Sequence, residues 1–253
     1  MLSGFANAAV KPEGQGVQFD DAQETFTARY TNETIALAFA ITEEAIEDNL
    51  YDRLASRYTK ALARSMANTK QVKAAAVLNN AFTPAFAGGD GVELCSTVHP
   101  TMAGTFSNEL TTPSDLNETS LEQALIDIAA FTDERGLKIA ARGMKMIIPS
   151  ELQFTADRLM KSEGQTGTAN NDINAIKNMG MIPQGYVVNH YLTAAKKWFI
   201  KTDVPNGLKH FVRSPIKTTM EGDFDTGNVR YKARERYVFG FSDPRGVFGS
   251  NAV

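Results

Sequence analysis

The chain has 253 residues, a formal charge of −3, 43% hydrophobic and 22% charged residues, the balance of a folded protein long enough for one large or two small domains. Its longest apolar run, Ile35 to Ile41, has seven residues, far short of the roughly 18 that a membrane helix needs, and no secretory signal is visible. The single cysteine, Cys95, excludes an internal disulfide and a zinc site built on two or more thiolates.

Met1 to Gly16 is Gly- and Ala-containing and ends in Lys-Pro-Glu-Gly-Gln-Gly, which reads as a loop or arm. Val17-Gln-Phe19, a polar turn at Asp20-Asp-Ala-Gln23 and a long run to Ile41 follow. In that run Phe26, Ala28 and Tyr30 alternate with Thr and Arg29, and Ile35, Leu37, Phe39 and Ile41 alternate with Ala. Period two predicts strand. The expectation is a two-stranded hairpin over 13–41, exposed at its tip and buried at its base. Such a hairpin is marginal alone and needs another surface to lie on.

From Thr42 to Phe82 there is no Gly or Pro, and Ala, Leu, Glu, Lys, Arg and Met dominate, so a long helix is predicted. Thr42 caps it, and Glu43, Glu44, Glu47 and Asp48 suit the positive end of its dipole. Pro84 and Gly88-Gly89 stop it. Unbroken, it measures about 60 Å, against a diameter of about 46 Å for a compact chain of this length. Either it breaks near Asn68-Thr69 or it exceeds a compact ball. Ile46, Leu50, Leu54, Tyr58 and Leu62 form a stripe that drifts around the helix, as suits a helix laid obliquely over a sheet.

Residues 83–113 read as loop. Thr119 or Ser120 caps a helix running to about Arg135, ended by Gly136. Lys145–Ile148 reads as a buried strand, Pro149 opens a helix to about Met160, and Ser162–Asn171 is a polar loop. A short helix over Asp172–Met179 and strands at Tyr186–Leu192 and Trp198–Thr202 complete a mixed α/β middle segment, 90–215. The last long strand puts Val229, Tyr231, Ala233, Glu235, Tyr237, Phe239 and Phe241 on one face and Arg230, Lys232, Arg234 and Arg236 on the other. Asp243-Pro-Arg-Gly246 is a turn, and Val247-Phe248 a short strand.

Charge is segregated. Glu13–Asp52 holds ten acidic residues and one basic, Arg29, whereas Lys196–Arg245 holds eleven basic and six acidic. Such blocks can pair within one subunit or between subunits. Four cations on one strand face can also meet phosphates, but no aromatics share that face to stack on bases.

No catalytic, cofactor or metal residue is assigned. No nucleophile elbow, phosphate-binding loop or dinucleotide fingerprint occurs. His99, His190 and His210 offer no i,i+4 pair for a metal. Cys95 and His99 read as a buried cysteine beside a His-Pro turn, and Gly88-Gly-Asp-Gly91 as a plain loop.

The order of parts is arm, hairpin, long helix, α/β middle segment and long basic strand. It resembles the HK97-like fold of the major capsid proteins of tailed bacteriophages. Phe26-Thr-Ala-Arg-Tyr-Thr, Ala36-Leu-Ala-Phe-Ala-Ile-Thr-Glu-Glu, Ala61-Leu-Ala-Arg-Ser-Met and Val77-Leu-Asn-Asn-Ala-Phe are similar to the family's extended loop and spine helix. Cys95-Ser-Thr-Val-His-Pro, Asn189-His-Tyr-Leu, Trp198-Phe-Ile-Lys-Thr-Asp-Val-Pro-Asn-Gly, Tyr231-Lys-Ala-Arg-Glu-Arg-Tyr and Ser242-Asp-Pro-Arg-Gly-Val-Phe-Gly-Ser resemble phage head subunits as well.

The resemblance implies an α+β fold with a remnant N-terminal arm (1–12), an extended loop (13–41) lying over the adjacent subunit, a spine helix of the peripheral domain (42–89), an axial domain (90–215) and return strands to the peripheral domain (216–253). It implies a structural subunit, not an enzyme, that forms homo-pentamers and homo-hexamers of an icosahedral shell around double-stranded DNA. Portal, scaffold or maturation protease are its partners during assembly in the host cytoplasm; no membrane is involved, and its final place is the virion. Only about a dozen residues precede the loop, so either the arm is short for the family or residue 1 is not the start of the gene product. Expected inter-subunit residues are Phe19, Phe26, Arg29, Tyr30, Glu43, Glu44, Arg230, Lys232, Arg234 and Arg236. An encapsulin-type compartment is the alternative, and a soluble α/β enzyme a more distant one.

Overall fold

The computed structural model describes residues 1–48, 51–164 and 172–252. In chain order the elements are β1 (Glu33–Ile41), α1 (Glu43–Glu47), α2 (Tyr51–Asn79), β2 (His99–Thr101), β3 (Gly104–Phe106), α3 (Glu118–Ala129), β4 (Gly143–Ile148), α4 (Gln153–Lys161), α5 (Ala175–Met179), β5 (Tyr186–Val188), β6 (Trp198–Thr202), β7 (Leu208–Gly222), β8 (Val229–Phe241) and β9 (Val247–Ser250). They fall into two compact units. The first joins Met1–Arg29, Val77–Leu208 and Phe241–Val253; the second joins Tyr30–Ala76 and Lys209–Gly240.

The first unit is built on a four-stranded sheet in the order β5-β4-β6-β9, with β4 and β5 parallel and the other pairs antiparallel. Both faces of this sheet are covered, and the period of two sorts its residues between two cores. Met146, Ile148, Trp198, Ile200 and Phe248 face Leu121, Leu125 and Ile128 of α3, Leu159 of α4 and Ile176 of α5. Their neighbours Ile147, Phe199 and Val247 face Leu78, Ala81, Phe82, Leu94 and Cys95. Gly249 belongs to the second face, where a Cβ would stand 2.8 Å from the Phe82 ring and 2.9 Å from the Cys95 sulfur.

The second unit is a three-stranded sheet in the order β1-β8-β7. β1 runs antiparallel to β8, from Glu33 opposite Tyr237 to Ile41 opposite Val229. One face packs on α2 through Ile35, Phe39, Leu62, Met66 and Ala233. Phe39 stacks on Tyr231 at 4.9 Å and meets Tyr58 edge-on at 5.5 Å. Two lysines of α2 complete this layer. Lys70 bonds the buried Glu235 at 3.0 Å, and Lys73 pairs with Glu33.

The structure corrects several expectations. No two-stranded hairpin forms over 13–41. Val17–Phe19 is not in a strand, Glu24 bridges Leu2, and β1 pairs with β8 instead. β8 offers nine consecutive partners whose Tyr231, Ala233 and Tyr237 extend β1's own apolar face, whereas the Gly-rich stretch before Val17 offers none. The helix does not break at Asn68-Thr69: α2 runs through, with the Thr69 hydroxyl donating back to the Ser65 carbonyl at 3.0 Å. Thr42 caps α1, accepting from the Ala45 amide, but Leu50 of the predicted stripe lies outside the described residues. α3 is capped by Asn117 in a reciprocal box with Ser120, one turn before the expected start, and ends at Ala129. Residues 131–139 then turn back on themselves through the Thr132–Lys138 bridge and an Ile139-to-Phe131 hydrogen bond. β7 was not anticipated, because Pro215 sits at its middle; it is tolerated since β7 lies on the sheet edge. Of the expected Ser162–Asn171 loop, 165–171 lie outside the described residues.

Candidate functional site

The expected contact residues of β8 lie on the sheet face turned away from α2. Arg230, Lys232 and Arg234 are exposed, alternating with the half-buried or buried Tyr231, Ala233 and Glu235. Arg230 pairs with Asp223 of the turn between β7 and β8. Arg236 is half-buried, and its Nε is buried without a hydrogen-bond partner among the described residues. In the β1–β8 register Arg230, Lys232, Arg234 and Arg236 stand opposite Ala40, Ala38, Ala36 and Thr34 of β1. By alternation Arg213 and Lys217 of β7 share that face, since His210 stacks on Phe239 at 4.3 Å on the other. The floor of small side chains between long cations makes a smooth, strongly positive surface.

Tyr30 enters this unit against Phe211, ring to ring at 4.9 Å, and covers Gly240, where a Cβ would meet its ring at 2.6 Å. With Asn32, Val212, Arg213 and Val238 they line an open pocket of about 330 Å³. Glu43 and Glu44 occupy the exposed first turn of α1, and Glu43 lies against the backbone of Gly227, whose φ of +66° suits glycine.

In the first unit, Phe19 is 94% exposed and Arg29 is exposed, while Phe26 is half-buried and its carbonyl accepts from the Met1 amino group at 2.6 Å. Asp20 accepts from the Ala6 amide at 2.7 Å and lies 3.7 Å from Arg135. These contacts hold its carboxyl below the usual range, the Ala6 hydrogen bond foremost. The acidic block therefore uses Arg135 and Lys73, cations from outside the basic stretch, for Asp20 and Glu33.

Two polar networks inside the first unit correspond to no motif in the sequence. The Arg245 guanidinium is 3% exposed. Its Nε donates to the Thr132 carbonyl at 2.7 Å, its Nη2 is 2.9 Å from Glu134, its Nη1 is 3.4 Å from Asp243, and its plane lies 4.9 Å from the Phe106 ring centre. Asn108, fully buried, donates to the carbonyls of Leu94, Pro244 and Val247 and accepts from the Ser96 amide. His99 bridges Asn108 and the Asp90 carboxylate, at 3.1 and 2.6 Å. These groups look like turn residues in sequence; only the fold brings together segments 113 to 139 positions apart.

The reactive-group readings come out on the structural side. Cys95 is 0% exposed. Burial foremost, then Glu109 and Glu93, pushes its thiol well above the usual range, the opposite of what a nucleophile needs. His99 is committed to two partners, and Asp90 of the Gly-rich loop is one of them. Among the described residues no group of three or more His, Cys, Asp or Glu is placed to hold a metal ion, and no helix is long and apolar enough to cross a membrane.

The family model described as phage capsid protein matches residues 24–250. The capsid of cyanophage P-SCSP1u aligns with a TM-score of 0.57 at 12% identity, covering 98% of this chain and 81% of the other. The capsid of Myoviridae phage XM1 aligns at 0.56 and 9%, covering 100% and 84%. The virus-like particle from Pyrococcus furiosus aligns at 0.50 and 12%, covering 98% and 86%. No curated protein sequence matches the chain.

Proposed function

From the premise that the chain belongs to the phage capsid protein family and has an HK97-like fold, we propose that it closes an icosahedral shell as homo-pentamers and homo-hexamers around double-stranded DNA. It is a structural capsid protein, a component of the virion. The second unit is the peripheral domain with α2 as its spine, and the α/β middle segment is the axial domain. The segment before β1 extends over the adjacent subunit in place of the expected hairpin. Assembly takes place in the host cytoplasm with a portal and a scaffold or maturation protease.

The observation that carries this reading is the thin core of the second unit. Among its described residues the buried apolar side chains are Ile41, Leu62, Met66, Ala75, Ala233 and Tyr237, while Leu37, Tyr58, Val72, Phe211, Val212, Ile216, Met220 and Phe224 are 43 to 101% exposed. A sheet and helix so poorly covered gain stability by burying that surface against further copies.

Size-exclusion chromatography with negative-stain microscopy tests it: closed particles are expected, and only small species at every salt and pH would refute it. Reversing Arg234 and Arg236 to Glu is expected to cut particle yield. Shells that close normally but lose their DNA would assign the basic face to phosphates instead. The likeness to a virus-like particle supports one alternative, an encapsulin-type compartment; particles filled with protein and free of nucleic acid would favour it.

A further inference from the structure

β8 by itself brings no aromatic ring to its basic face, but the fold brings two. Phe211 of β7 and Tyr30, which precedes β1, meet ring to ring at 4.9 Å. By alternation Phe211 shares the side of Arg213 and Lys217, the sheet face turned away from α2. Tyr30 is seated on Gly240 of the same sheet, where a Cβ would stand 2.6 Å from its ring, so the pair is held in place. Phe211 is nevertheless 43% exposed. With Asn32 and Arg213 the two rings line the open pocket of about 330 Å³. The basic face therefore ends in an aromatic step.

Two observations say what chemistry suits that step. The first is charge. Asp223 engages Arg230, but Arg213, Lys217, Lys232, Arg234 and Arg236 have no carboxylate partner among the described residues. Such a face attracts a ligand with repeated negative charges. The second is a pair of polar atoms at the same end. Asn32 Oδ1 and Arg236 Nε are buried without a hydrogen-bond partner among the described residues, and Thr34, opposite Arg236, is two positions from Asn32. A run of carboxylates supplies charge but no ring to lie on Phe211. A duplex supplies phosphates but keeps its bases stacked inside. A single strand supplies phosphates, planar bases and the donors and acceptors of their edges.

We propose that this face binds single-stranded nucleic acid, with one unpaired base stacked on Phe211 in the pocket beside Tyr30 and Asn32, and with phosphates on Arg213, Lys217 and Arg236. Proteins that hold single strands without reading their sequence combine a positive surface with exposed rings in this way. The inference goes beyond the shell-forming reading and does not depend on it.

Fluorescence anisotropy on the full chain as unassembled subunits tests it. The probes are a labelled oligothymidylate of about ten nucleotides, the same strand in a duplex, and polyglutamate as competitor. Oligothymidylate is expected to bind at least ~10-fold more tightly than the duplex, and polyglutamate to compete at least ~10-fold more weakly than unlabelled oligothymidylate. Phe211→Leu keeps apolar bulk but removes the ring; it is expected to weaken single-strand binding at least ~5-fold and to leave duplex binding unchanged. Equal affinity for single strand and duplex, or no effect of Phe211→Leu, overturns the proposal, because charge alone then holds the phosphates. Polyglutamate that competes as well as the oligonucleotide also overturns it and assigns the face to an acidic protein segment. No binding at low salt overturns it outright. Should Phe211→Leu fail to fold, Phe211→Trp decides. Its emission is expected to be quenched by oligothymidylate and not by duplex, against the constant signal of the fully buried Trp198; unquenched emission overturns the proposal.

Discussion

Arg245→Met is expected to be among the most damaging single changes in the first unit. The guanidinium is 3% exposed and the Glu134 carboxylate 4% exposed, 2.9 Å apart. Methionine keeps much of the volume against Phe106 but leaves Glu134 buried without a cation and the Thr132 carbonyl without its donor. Removing one partner of a buried pair costs about 3–5 kcal/mol, a large part of the ~5–15 kcal/mol that stabilises a domain. At roughly 2–4 °C per kcal/mol for a chain of this size, the midpoint falls by about 6–20 °C. Thermal unfolding of unassembled subunits, followed by circular dichroism, measures it. Arg245→Met combined with Glu134→Leu removes both members of that pair, leaves Asp243 the hydrogen bond from the residue-245 amide, and is expected to recover more than half of the loss. The loss is also expected to stay unchanged in high salt, because screening does not reach a buried pair. A loss below about 1 kcal/mol, or a double variant no better than the single one, refutes the buried-pair account.

Gly249→Ala places a methyl group 2.8 Å from Phe82, 2.9 Å from Cys95 and 3.1 Å from Phe199; overpacking of about 1–3 kcal/mol is expected as a lower denaturant midpoint at constant slope. Cys95 is expected to alkylate at pH 8 at least ~100-fold more slowly in folded than in denatured protein, because the reactive species is the thiolate. Its folded pKa is raised, so its stabilising contribution is complete below the unfolded thiol value and fades as pH climbs through the folded one; Cys95→Ala should flatten that alkaline decline. Asp157 is held below the usual carboxylate range first by Lys161 and then by the Tyr186 hydroxyl. Its contribution is present above the unfolded value near 3.9 and lost as pH falls through the folded one. Asp157→Asn should therefore weaken the acid dependence of unfolding below about pH 4, and an unchanged acid limb would count against the pairing. Asn117→Ala removes the cap that accepts from the Ser120 amide at 2.8 Å and is expected to cost about 1 kcal/mol, read from the same melts.

Local patterns were informative where neighbours in sequence are neighbours in space. The Gly- and Pro-free stretch from Thr42 reads as helix because the signals for it lie within a few residues, and α2 follows, running through Asn68-Thr69. The alternation in β8 correctly separated the exposed Arg230, Lys232 and Arg234 from the buried Ala233 and Tyr237, because a strand's two faces follow from its period alone. Buried Glu235 also sat on the inner face in sequence, but its acceptor role could not be read until Lys70 was seen to reach it from α2.

Pairing is different in kind. Period two says that Glu33–Ile41 is a strand but not which strand it joins, and β8 lies nearly 200 residues away. The choice is made by how well two apolar faces coincide once the chain is folded, and no window of sequence contains both. The same holds for Arg245: Asp-Pro-Arg-Gly is a turn in any reading, and only the meeting of that turn with Thr132 and Glu134 makes its arginine a buried clamp. What the amino-acid order determined alone was the helices, the strand faces and the exclusion of a metal site built on two or more thiolates. What the tertiary structure decided was the partners, because burial and charge neutralisation depend on contacts that the chain makes only after long-range closure.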